Sequence, residues 1–464
     1  MEKEIDEKKL QGIFESPAGV AELLRSAAHP ARIRILGLLL QGKRNFSQIM
    51  QHTRLSKTAL ANHMSHLIRK GLVTRVTRGE YDLTVDGKEL LNAAASVYMN
   101  SSRRADEQRE QLHRLYTEGL IEGKKLDRKV VSKKAEYLPC WLSYTGAIGG
   151  ALKALGVDCD IVDVGGRSGY SFLINVSKGR TCPSGPTALP EGTWKQIHKG
   201  VEALGWTMEA YVYPSSFPAV EGKPTPKEVE VAKNLFEKIK KEIEERDRPV
   251  VLWGLVAPEY GIVNGYEGNS YIVSTFRSII KQPETPIIFY DLKAAGCIDA
   301  FFFRDKVKAD ALKADREALK NAIRFAEAKV PILRNYVGGP DALDEWADVL
   351  EKLLEEEQDY FGNSYVGACV AEGRALSAKF LERLANKHSG KQSKHLREAA
   401  ACYEKGGGLM EEFTKIFPFH GPGQQGKMKL ADRKKGAGIL RKVKVLEQEA
   451  VQHMKKALVE WRTL

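Results

Sequence analysis

The feature that most constrains the fold of this chain is a change of hydrophobic period at Gly71. Between Val20 and Gly71, four short segments repeat their apolar residues with the period of an α-helix. After Gly71, apolar and polar residues alternate as in a strand, and Gly79 lies where a tight hairpin turn favours a positive φ. A helical segment, "DGKELLNAAASVYMN", follows the second strand. Helices closed by a hairpin predict an α+β winged helix-turn-helix domain over residues 15–98.

Local signals set the ends of the predicted helices. The first helix ends before Pro30, because the residue before a proline disfavours the helical region. Asn45 or Ser47 can cap the third helix, and Ser56 can cap the fourth. The residues predicted to face the core from the second and fourth helices are Ile33, Leu36, Leu39, Leu40, Leu60, Met64, Leu67 and Ile68.

Basic residues are concentrated in the same segment. Between Ala31 and Glu80 the chain has ten Lys or Arg residues and one acidic residue, which is most of the excess behind a net charge of +12. A clustered positive charge favours a polyanionic partner, and in this motif the last helix before the wing enters the major groove of DNA. The predicted DNA-binding residues are Lys57, Thr58, Asn62, His63, His66, Arg69, Arg75 and Arg78. A winged helix used only for protein contacts is the alternative, and it fits the basic excess poorly.

The segments "HPARIRIL" and "FSQIMQHTRLSKTALANHMSHLIRKGLV" resemble the arsenical-resistance-regulator class of winged helices in order and spacing. The resemblance implies a dimeric protein that binds double-stranded DNA. The paired cysteines with which founding members of that class sense metals are absent from the third helix, so metal sensing is not implied. Residues 99–134 are predicted to be a helical linker or a dimerisation helix, and a homodimer is favoured because palindromic operators need two readers.

The six cysteines lie far apart, without a CxxC pair or a histidine at metal-ligand spacing. They are predicted to be reduced thiols, and no metal site and no cofactor is predicted. No apolar run reaches the roughly 18 residues that span a bilayer, and the charged start lacks the apolar stretch of a secretory signal. A cytoplasmic protein without a membrane partner is therefore expected.

Residues 135–304 are predicted to form a second domain. A helix from Ser143 to Leu155 rich in small residues is followed by a glycine-rich turn, "VGGRSGYSF", and by strands in "RPVVLWGLV" and "YGIVNGYEGNSYIVS". With "CPSGPTA", these segments resemble the papain-like fold of bacteriocin-leader peptidases and, more closely, the N-terminal domain of the butirosin biosynthesis protein H family. The resemblance implies an α+β papain-like domain and places Ser143 and Glu259 at the positions of its cysteine nucleophile and its histidine.

No histidine occurs in either motif, although a nucleophilic thiol needs an adjacent base. The sequence therefore predicts no catalytic residues and a domain that retains a ligand-sensing cleft. A papain-like acyltransferase or amidohydrolase with a fused DNA-binding domain is the alternative, with Glu259 as base for Cys140 or Ser143. The candidate ligand-binding residues are Trp141, Ser143, Tyr144, Arg167, Ser168, Tyr170, Trp253, Glu259 and Tyr260. Trp141 and Trp253 fit a core equally well, and Arg167 is the candidate for an anionic ligand.

Residues 305–464 are predicted to form an α-helical bundle, interrupted at "GGPDA" and "PFHGPGQQG". "GNSYVGACVAEGRALSAKFL" and "IFPFHGP" also resemble the C-terminal part of the butirosin-type family. The whole chain is thus predicted to be a transcriptional regulator whose DNA-binding domain is joined to a body that senses a small-molecule effector. A scaffold that binds only protein partners is a third possibility.

Overall fold

The structure is a computed structural model that describes residues 14–53, 55–77, 79–99, 127–213, 226–308, 310–352, 360–421 and 428–461. Its internal contacts divide the chain into two compact units, and the boundary along the sequence falls between Lys124 and Lys125. We refer to the described part of the first unit, residues 14–99, as the head, and to that of the second, residues 127–461, as the body. No described helix is long and apolar enough to cross a membrane.

The head has the helices and the hairpin that the periodicity predicts. Its elements in chain order are α1 (Pro17–Ala27), α2 (Pro30–Leu40), β1 (Arg44–Asn45), α3 (Phe46–Thr53), α4 (Lys57–Arg69), β2 (Val73–Thr77), β3 (Glu80–Leu83) and α5 (Val85–Met99). The three strands form an antiparallel sheet in the order β1-β3-β2. Gly79 has a φ of 98° in the turn between β2 and β3, as the hairpin prediction requires.

Side-chain caps fix the starts of α3 and α4. The backbone N–H of Gln48 donates to Asn45 Oδ1 at 2.9 Å, and the N–H of Asn45 donates to Gln48 Oε1 at 3.0 Å. This reciprocal pair satisfies two backbone donors at the start of α3. Ser56 Oγ accepts from the N–H of Ala59 at 3.3 Å at the start of α4. Asn45, rather than Ser47, therefore caps α3, and the predicted cap at Ser56 is confirmed.

The core of the head differs from the predicted stripe at three residues. Leu36, Leu39, Leu60, Met64 and Leu67 are buried as predicted, together with Ile35. Ile33, Leu40 and Ile68 were expected to face inward, but each is at least 40% exposed. The apolar residues of "ARIRILGLLL" lie on all sides of the helix. The helical period alone therefore does not predict which of them the rest of the head buries.

The body combines an antiparallel sheet with helices. Its elements are β4 (Arg128–Val130), α6 (Ser143–Ala154), α7 (Ile161–Ser168), β5 (Asn175–Ser177), α8 (Glu191–Glu202), β6 (Trp206–Tyr213), α9 (Pro226–Arg246), β7 (Val250–Trp253), β8 (Tyr260–Glu267), β9 (Ser270–Ser274), β10 (Ile287–Ile288), β11 (Ile298–Lys306), α10 (Ala311–Ala326), β12 (Tyr336–Gly338), α11 (Pro340–Lys352), α12 (Tyr360–Lys387), α13 (Gly390–Ile416) and α14 (Leu430–Glu460). The main sheet has the order β10-β9-β8-β7-β11-β6, with β4 also paired to β8, and β12 pairs with β5 in a second sheet.

Small residues allow α6 to lie close to the chain segment that precedes it. A Cβ at Gly150 would lie 2.0 Å from the carbonyl oxygen of Glu136, and one at Gly146 would lie 2.3 Å from that of Leu138. Both distances are far shorter than a van der Waals contact, so only glycine fits at these positions. The small residues of α6 therefore permit this close packing.

The glycine-rich segment after α6 is not a turn, which corrects the prediction. Gly165 and Gly166 lie within α7, whose start is capped by Asp160 and whose end is the left-handed Gly169 with a φ of 80°. A Cβ at Gly166 would lie 2.1 Å from the ring of Phe380 on α12. The glycines therefore bring α7 close to α12.

The C-terminal region is mostly helical, as predicted, and α12, α13 and α14 pack against one another in sequence. The boundary expected near residue 304 does not separate two compact units. Phe380 of α12 and Ala450 of α14 belong to the same buried cluster as Phe172 and Phe301. These helices therefore share one core with the sheet and with the segment between α7 and β5.

Candidate nucleic-acid interface and ligand cavity

The outer face of α4 is polar and exposed. Lys57, Thr58, Asn62 and Arg69 are exposed along it. Within the part of the chain that the structure describes, neither Lys57 nor Arg69 has a carboxylate within ion-pair distance. The opposite face, with Leu60, Met64 and Leu67, packs into the core of the head. The predicted contact face is therefore free to meet a polyanion.

His63 and His66 are half-buried, whereas the sequence placed them on the outer face. The His63 ring lies 4.6 Å from the ring of His29, which caps α2. Burial, followed by the nearby charge of Arg32 among others, lowers the pKa of both imidazoles. Their spacing on α4 is helical, but the ring of His29 at the start of α2 lies against His63 and covers part of it.

The wing, which is the hairpin of β2 and β3, carries one further residue that was predicted to contact DNA. Arg75 on β2 is exposed; its Nη2 donates to the hydroxyl of Tyr81 at 3.2 Å, and its guanidinium lies 5.6 Å from the Tyr81 ring centre. The aromatic ring thus orients the cation on the surface of the wing. Arg78 lies outside the described residues. Lys70, at the end of α4, is paired with Glu22 of α1.

The body contains a cavity of about 1000 Å³ between α8, the sheet and three loops. Trp194 of α8, Trp253 of β7, Tyr260 of β8 and Phe301 of β11 line it with aromatic rings. Of the nine predicted ligand-binding residues, Trp253 and Tyr260 therefore lie at this cavity. The sequence did not indicate the contribution of α8, since its residues read as an ordinary amphipathic helix.

Two polar groups lie among these rings. His198 is buried, its ring centre lies 4.4 Å from that of Phe301, and its Nε2 makes no hydrogen bond within the described residues. Burial lowers the pKa of His198 to about 4, so the imidazole is neutral at pH 7. Asp299 Oδ2 accepts from the Tyr260 hydroxyl at 3.1 Å, and burial raises the pKa of this carboxyl. The interior of the cavity thus offers hydrogen bonds among apolar surfaces.

The charged residues at the rim of the cavity pair with one another. Lys195 Nζ lies 2.7 Å from Glu191 Oε1, and Lys199 Nζ lies 2.6 Å from Glu202 Oε2. All four belong to α8 and line the cavity. Because each cation has a carboxylate beside it, the rim presents little net charge to a ligand.

Arg167 is already neutralised, which corrects its prediction as the group for an anionic ligand. Its Nη2 lies 2.6 Å from Asp315 Oδ1 on α10, and Lys387 Nζ lies 3.5 Å from the other oxygen of that carboxylate. Asp315 is 98% buried, so this pairing is a fixed part of the packing of α7 on α10 and α12. A carboxylate from 148 residues away is not visible in the local sequence.

Three further residues that were predicted to bind a ligand are instead part of the buried core of the body. Tyr144 is fully buried among aromatic rings, Ser168 Oγ donates to the carbonyl oxygen of Gly165 at 3.1 Å, and the Tyr170 hydroxyl donates to that of Pro186 at 2.8 Å. They line no part of the cavity.

Ser143 and Glu259 lie close together in the body. Ser143 Oγ accepts from the N–H of Tyr260 at 3.1 Å, and Tyr365 of α12 donates its hydroxyl to Glu259. Burial raises the pKa of Glu259 to about 7, while hydrogen bonds from Ser143 and Tyr365 act in the opposite direction. Trp141 is 38% exposed beside this group, with its ring centre 6.3 Å from that of Tyr365.

Cys140 is held by a carboxylate. Its Sγ donates to Glu372 Oε2 at 2.9 Å, and the N–H of Leu142 donates to the same oxygen at 3.0 Å. Burial, with the charge of Glu372, raises the pKa of the Cys140 thiol well above its ordinary value. Sequence reasoning missed Glu372, because it lies on α12, 232 residues further along the chain.

Comparison with known proteins finds a family match in the head and one similar regulator. The model of the bacterial regulatory proteins of the arsR family matches residues 29–75, which run from the cap of α2 into β2. The transcriptional activator HlyU of Vibrio cholerae serotype O1 (strain ATCC 39315 / El Tor Inaba N16961) is 32% identical over 107 residues, which is 86% of that protein and 23% of this chain. The family match includes α4 and its preceding turn.

Proposed function

The chain belongs, through its head, to the arsR family of bacterial regulatory proteins and is a DNA-binding transcriptional regulator, and we propose that α4 reads the major groove of duplex DNA. The observation that carries this proposal is the exposed, unpaired face of α4. Lys57 and Thr58 lie at its N-terminal end, where this motif contacts bases. Asn62, one turn later, can pair with an adenine edge, and Arg69 and Arg75 can contact phosphates.

The test starts from genomic fragments recovered with the full-length protein from cells. Binding of one such fragment, and of a duplex of the same composition in scrambled order, is measured by fluorescence anisotropy. Asn62→Ala is expected to weaken binding to the recovered fragment and to leave binding to the scrambled duplex unchanged, because only base contacts carry sequence information. Arg75→Ala is expected to weaken both. Equal binding by all three proteins would contradict the placement of α4.

The regulator acts as a homodimer in this proposal. Leu23 and Leu24 on α1 are 43% and 58% exposed, and Val97 and Tyr98 on α5 are 72% and 50% exposed. Apolar surface of this kind on two helices of one domain favours contact with a second copy. Light scattering after size exclusion is expected to give twice the chain mass, and Leu24→Glu with Val97→Glu is expected to give the monomer. Val76→Glu on the wing is the matched control and should leave the dimer intact; a monomeric wild type would contradict the proposal.

The body binds the effector in the cavity rather than around Arg167. The aromatic walls and the paired rim charges favour a ligand that is largely apolar and uncharged. His198 and Asp299 supply the hydrogen-bonding groups that orient it. A planar aromatic molecule with a hydroxyl or amino group fits this chemistry.

Indole and 4-methylphenol are the probes for this site, with quenching of tryptophan fluorescence and a rise in melting temperature as readouts. Ala210→Phe, which places a ring inside the cavity, is expected to abolish both signals, whereas Ala401→Phe on α13 leaves them unchanged. The same probes are expected to change the affinity for the recovered DNA fragment, because an effector acts through its different affinity for two states. Identical responses in the two variants would refute the cavity as the site.

In this proposal the body does not catalyse a papain-type reaction. The papain-like fold itself stays a prediction, and the packing of α6 against an antiparallel sheet supports it. A buried thiol with a raised pKa is a poor nucleophile, and the group beside Cys140 is a carboxylate. Iodoacetamide is expected to leave Cys140 unmodified in the native protein while it modifies the half-buried Cys182, as read by peptide mass spectrometry. Rapid modification of Cys140 would favour the acyltransferase alternative.

A further inference from the structure

Two helices of the body carry a group of metal-ligating side chains that lies outside the cavity. His395 and Glu398 are three residues apart on α13 and therefore share one face of that helix. His453 lies on α14, which packs along α13. The Nδ1 atoms of His395 and His453 each lie 2.9 Å from the same atom, Glu398 Oε2. One donor atom from each of the three residues lies within 4.8 Å of the other two.

Packing fixes the separation of the three side chains. Leu396 and Ala399 of α13 are fully buried beside the pair on that helix, and Ala450 and Met454 of α14 are fully buried on either side of His453. Because these apolar residues belong to the common core of the body, the two helices cannot slide past each other without loss of that core. The donor atoms are therefore held in place before any ion binds, which is a requirement for a specific site.

The hydrogen bonding of the group is incomplete. His453 Nδ1 is buried and makes no hydrogen bond within the described residues, although it lies 2.9 Å from Glu398 Oε2. The nearest lysine, Lys394, has its Nζ 3.9 Å from the other oxygen of Glu398. Two imidazole nitrogens thus converge on one carboxylate oxygen, and this geometry leaves His453 Nδ1 without a hydrogen-bond partner within the described residues.

We propose that His395, Glu398 and His453 bind a divalent transition-metal ion of the zinc class between α13 and α14. Two imidazole nitrogens and one carboxylate oxygen are a donor set that suits zinc and its neighbours, whereas magnesium and calcium prefer oxygen donors alone. Glu398 also lines an open depression with Ser389, Lys394 and Ala401. Water can therefore complete the coordination from that side, and three protein ligands leave such a position open.

A polar bridge between the two helices is the competing explanation. It would use the same three side chains but would need no metal. The two explanations differ in the response to added ions, since only a metal site has a stoichiometry and a spectrum.

The test uses the full-length protein after treatment with a chelator. Zinc binding is measured by competition with a chromophoric indicator, and cobalt binding is measured by visible absorption, which is stronger for four-coordinate than for six-coordinate cobalt. The wild type is expected to bind one equivalent of zinc at this site and to show the four-coordinate cobalt bands without a near-ultraviolet thiolate band. Magnesium in excess is expected to displace neither ion.

The variants separate the site from the free cysteines and from a structural role. His453→Ala and Glu398→Gln are each expected to weaken zinc binding by more than roughly tenfold and to remove the cobalt bands. His52→Ala, at an exposed histidine of the head, is the matched control and should bind as the wild type does. Equal zinc affinity in the wild type and His453→Ala would overturn the proposal, as would a thiolate band that persists in that variant. A lower melting temperature in Glu398→Gln with unchanged cobalt bands would establish the polar bridge instead.

Discussion

At the scale of single residues, cations of the same kind have different surroundings in the head and in the body. Lys57 and Arg69 are exposed on α4, whereas Arg167 is paired with the buried Asp315. Arg374 is 1% exposed and lies 2.6 Å from a carboxylate oxygen of Glu447. The charge available to a ligand therefore depends on the carboxylates that the fold brings near each cation.

The exposed cations of the head should contribute directly to DNA affinity. Lys57→Ala is expected to weaken binding to a recovered genomic fragment roughly tenfold, since one good base contact contributes about 1–3 kcal/mol. Arg69→Ala should lower the slope of log affinity against log salt by about 0.9, because one fewer phosphate is neutralised. Fluorescence anisotropy at salt concentrations from about 50 to about 200 mM measures both. Lys379→Ala, at an exposed lysine of the body, is the control, and an equal loss in that variant would refute the assignment.

The buried His198 should make stability depend on pH. Its pKa is about 4 in the folded chain and about 6.5 in the unfolded chain. Between these values the unfolded state takes up the proton and the folded state does not, so stability falls as pH drops from 6.5 to 4. The loss from this residue is roughly 3 kcal/mol.

Urea unfolding at a series of pH values tests this dependence. His198→Gln is expected to lose less stability than the wild type over the same range, because it has no group that titrates there. His52→Gln, at an exposed histidine, should follow the wild type. Parallel pH curves for the wild type and His198→Gln would show that the imidazole is not held neutral by burial.

At the scale of elements, one buried ion pair joins the long helices of the body. Arg374 of α12 donates from Nε to Glu447 of α14 at 2.6 Å, and it also donates to the carbonyl oxygens of Ser171 and Phe172 at 3.2 and 2.9 Å. This role was not predicted from the sequence. The pair fixes two helices on the short segment between α7 and β5.

Removal of one partner should destabilise the body strongly. Arg374→Met leaves Glu447 buried without a cation, which is expected to cost about 3–5 kcal/mol of unfolding free energy. Arg374→Met combined with Glu447→Leu should restore most of it, because no unpaired charge remains. Arg441→Met breaks an exposed pair with Glu351, so a cost below about 1 kcal/mol is expected. Chemical denaturation compares the three variants, and equal losses in the buried and exposed cases would contradict the argument.

At the scale of the whole molecule, the head and the body have separate cores. The buried cluster of the head runs from Ala27 to Leu91, and the two clusters of the body contain no residue of the head. Each unit therefore has the apolar burial that an independent domain needs.

Separate expression of residues 1–126 and 127–464 is expected to give two folded proteins. The first should bind the recovered DNA fragment, and the second should give the indole response of the full chain. Circular dichroism and cooperative melting of each fragment measure folding. A fragment 127–464 that does not melt cooperatively would show that the body depends on the head.

Prediction from sequence succeeded where the signal is local. The caps at Asn45 and Ser56 and the turn at Gly79 follow from residue types and their spacing. It failed at Ile33 and at Gly166. Neither a helical period nor a run of glycines reveals which distant residues will pack against a given position. The candidate cavity was predicted only through Trp253 and Tyr260.

The sequence by itself determined the winged helix-turn-helix, because period, capping and turn chemistry act within a few residues of each other. Only the tertiary structure decided which cations remain without a carboxylate partner and where the cavity lies. Arg167 pairs with Asp315, and His198 lines the same cavity as Asp299, in each case across more than a hundred residues of chain. Charge pairing and cavity shape depend on distances in space, and those are set by the packing of the completed core.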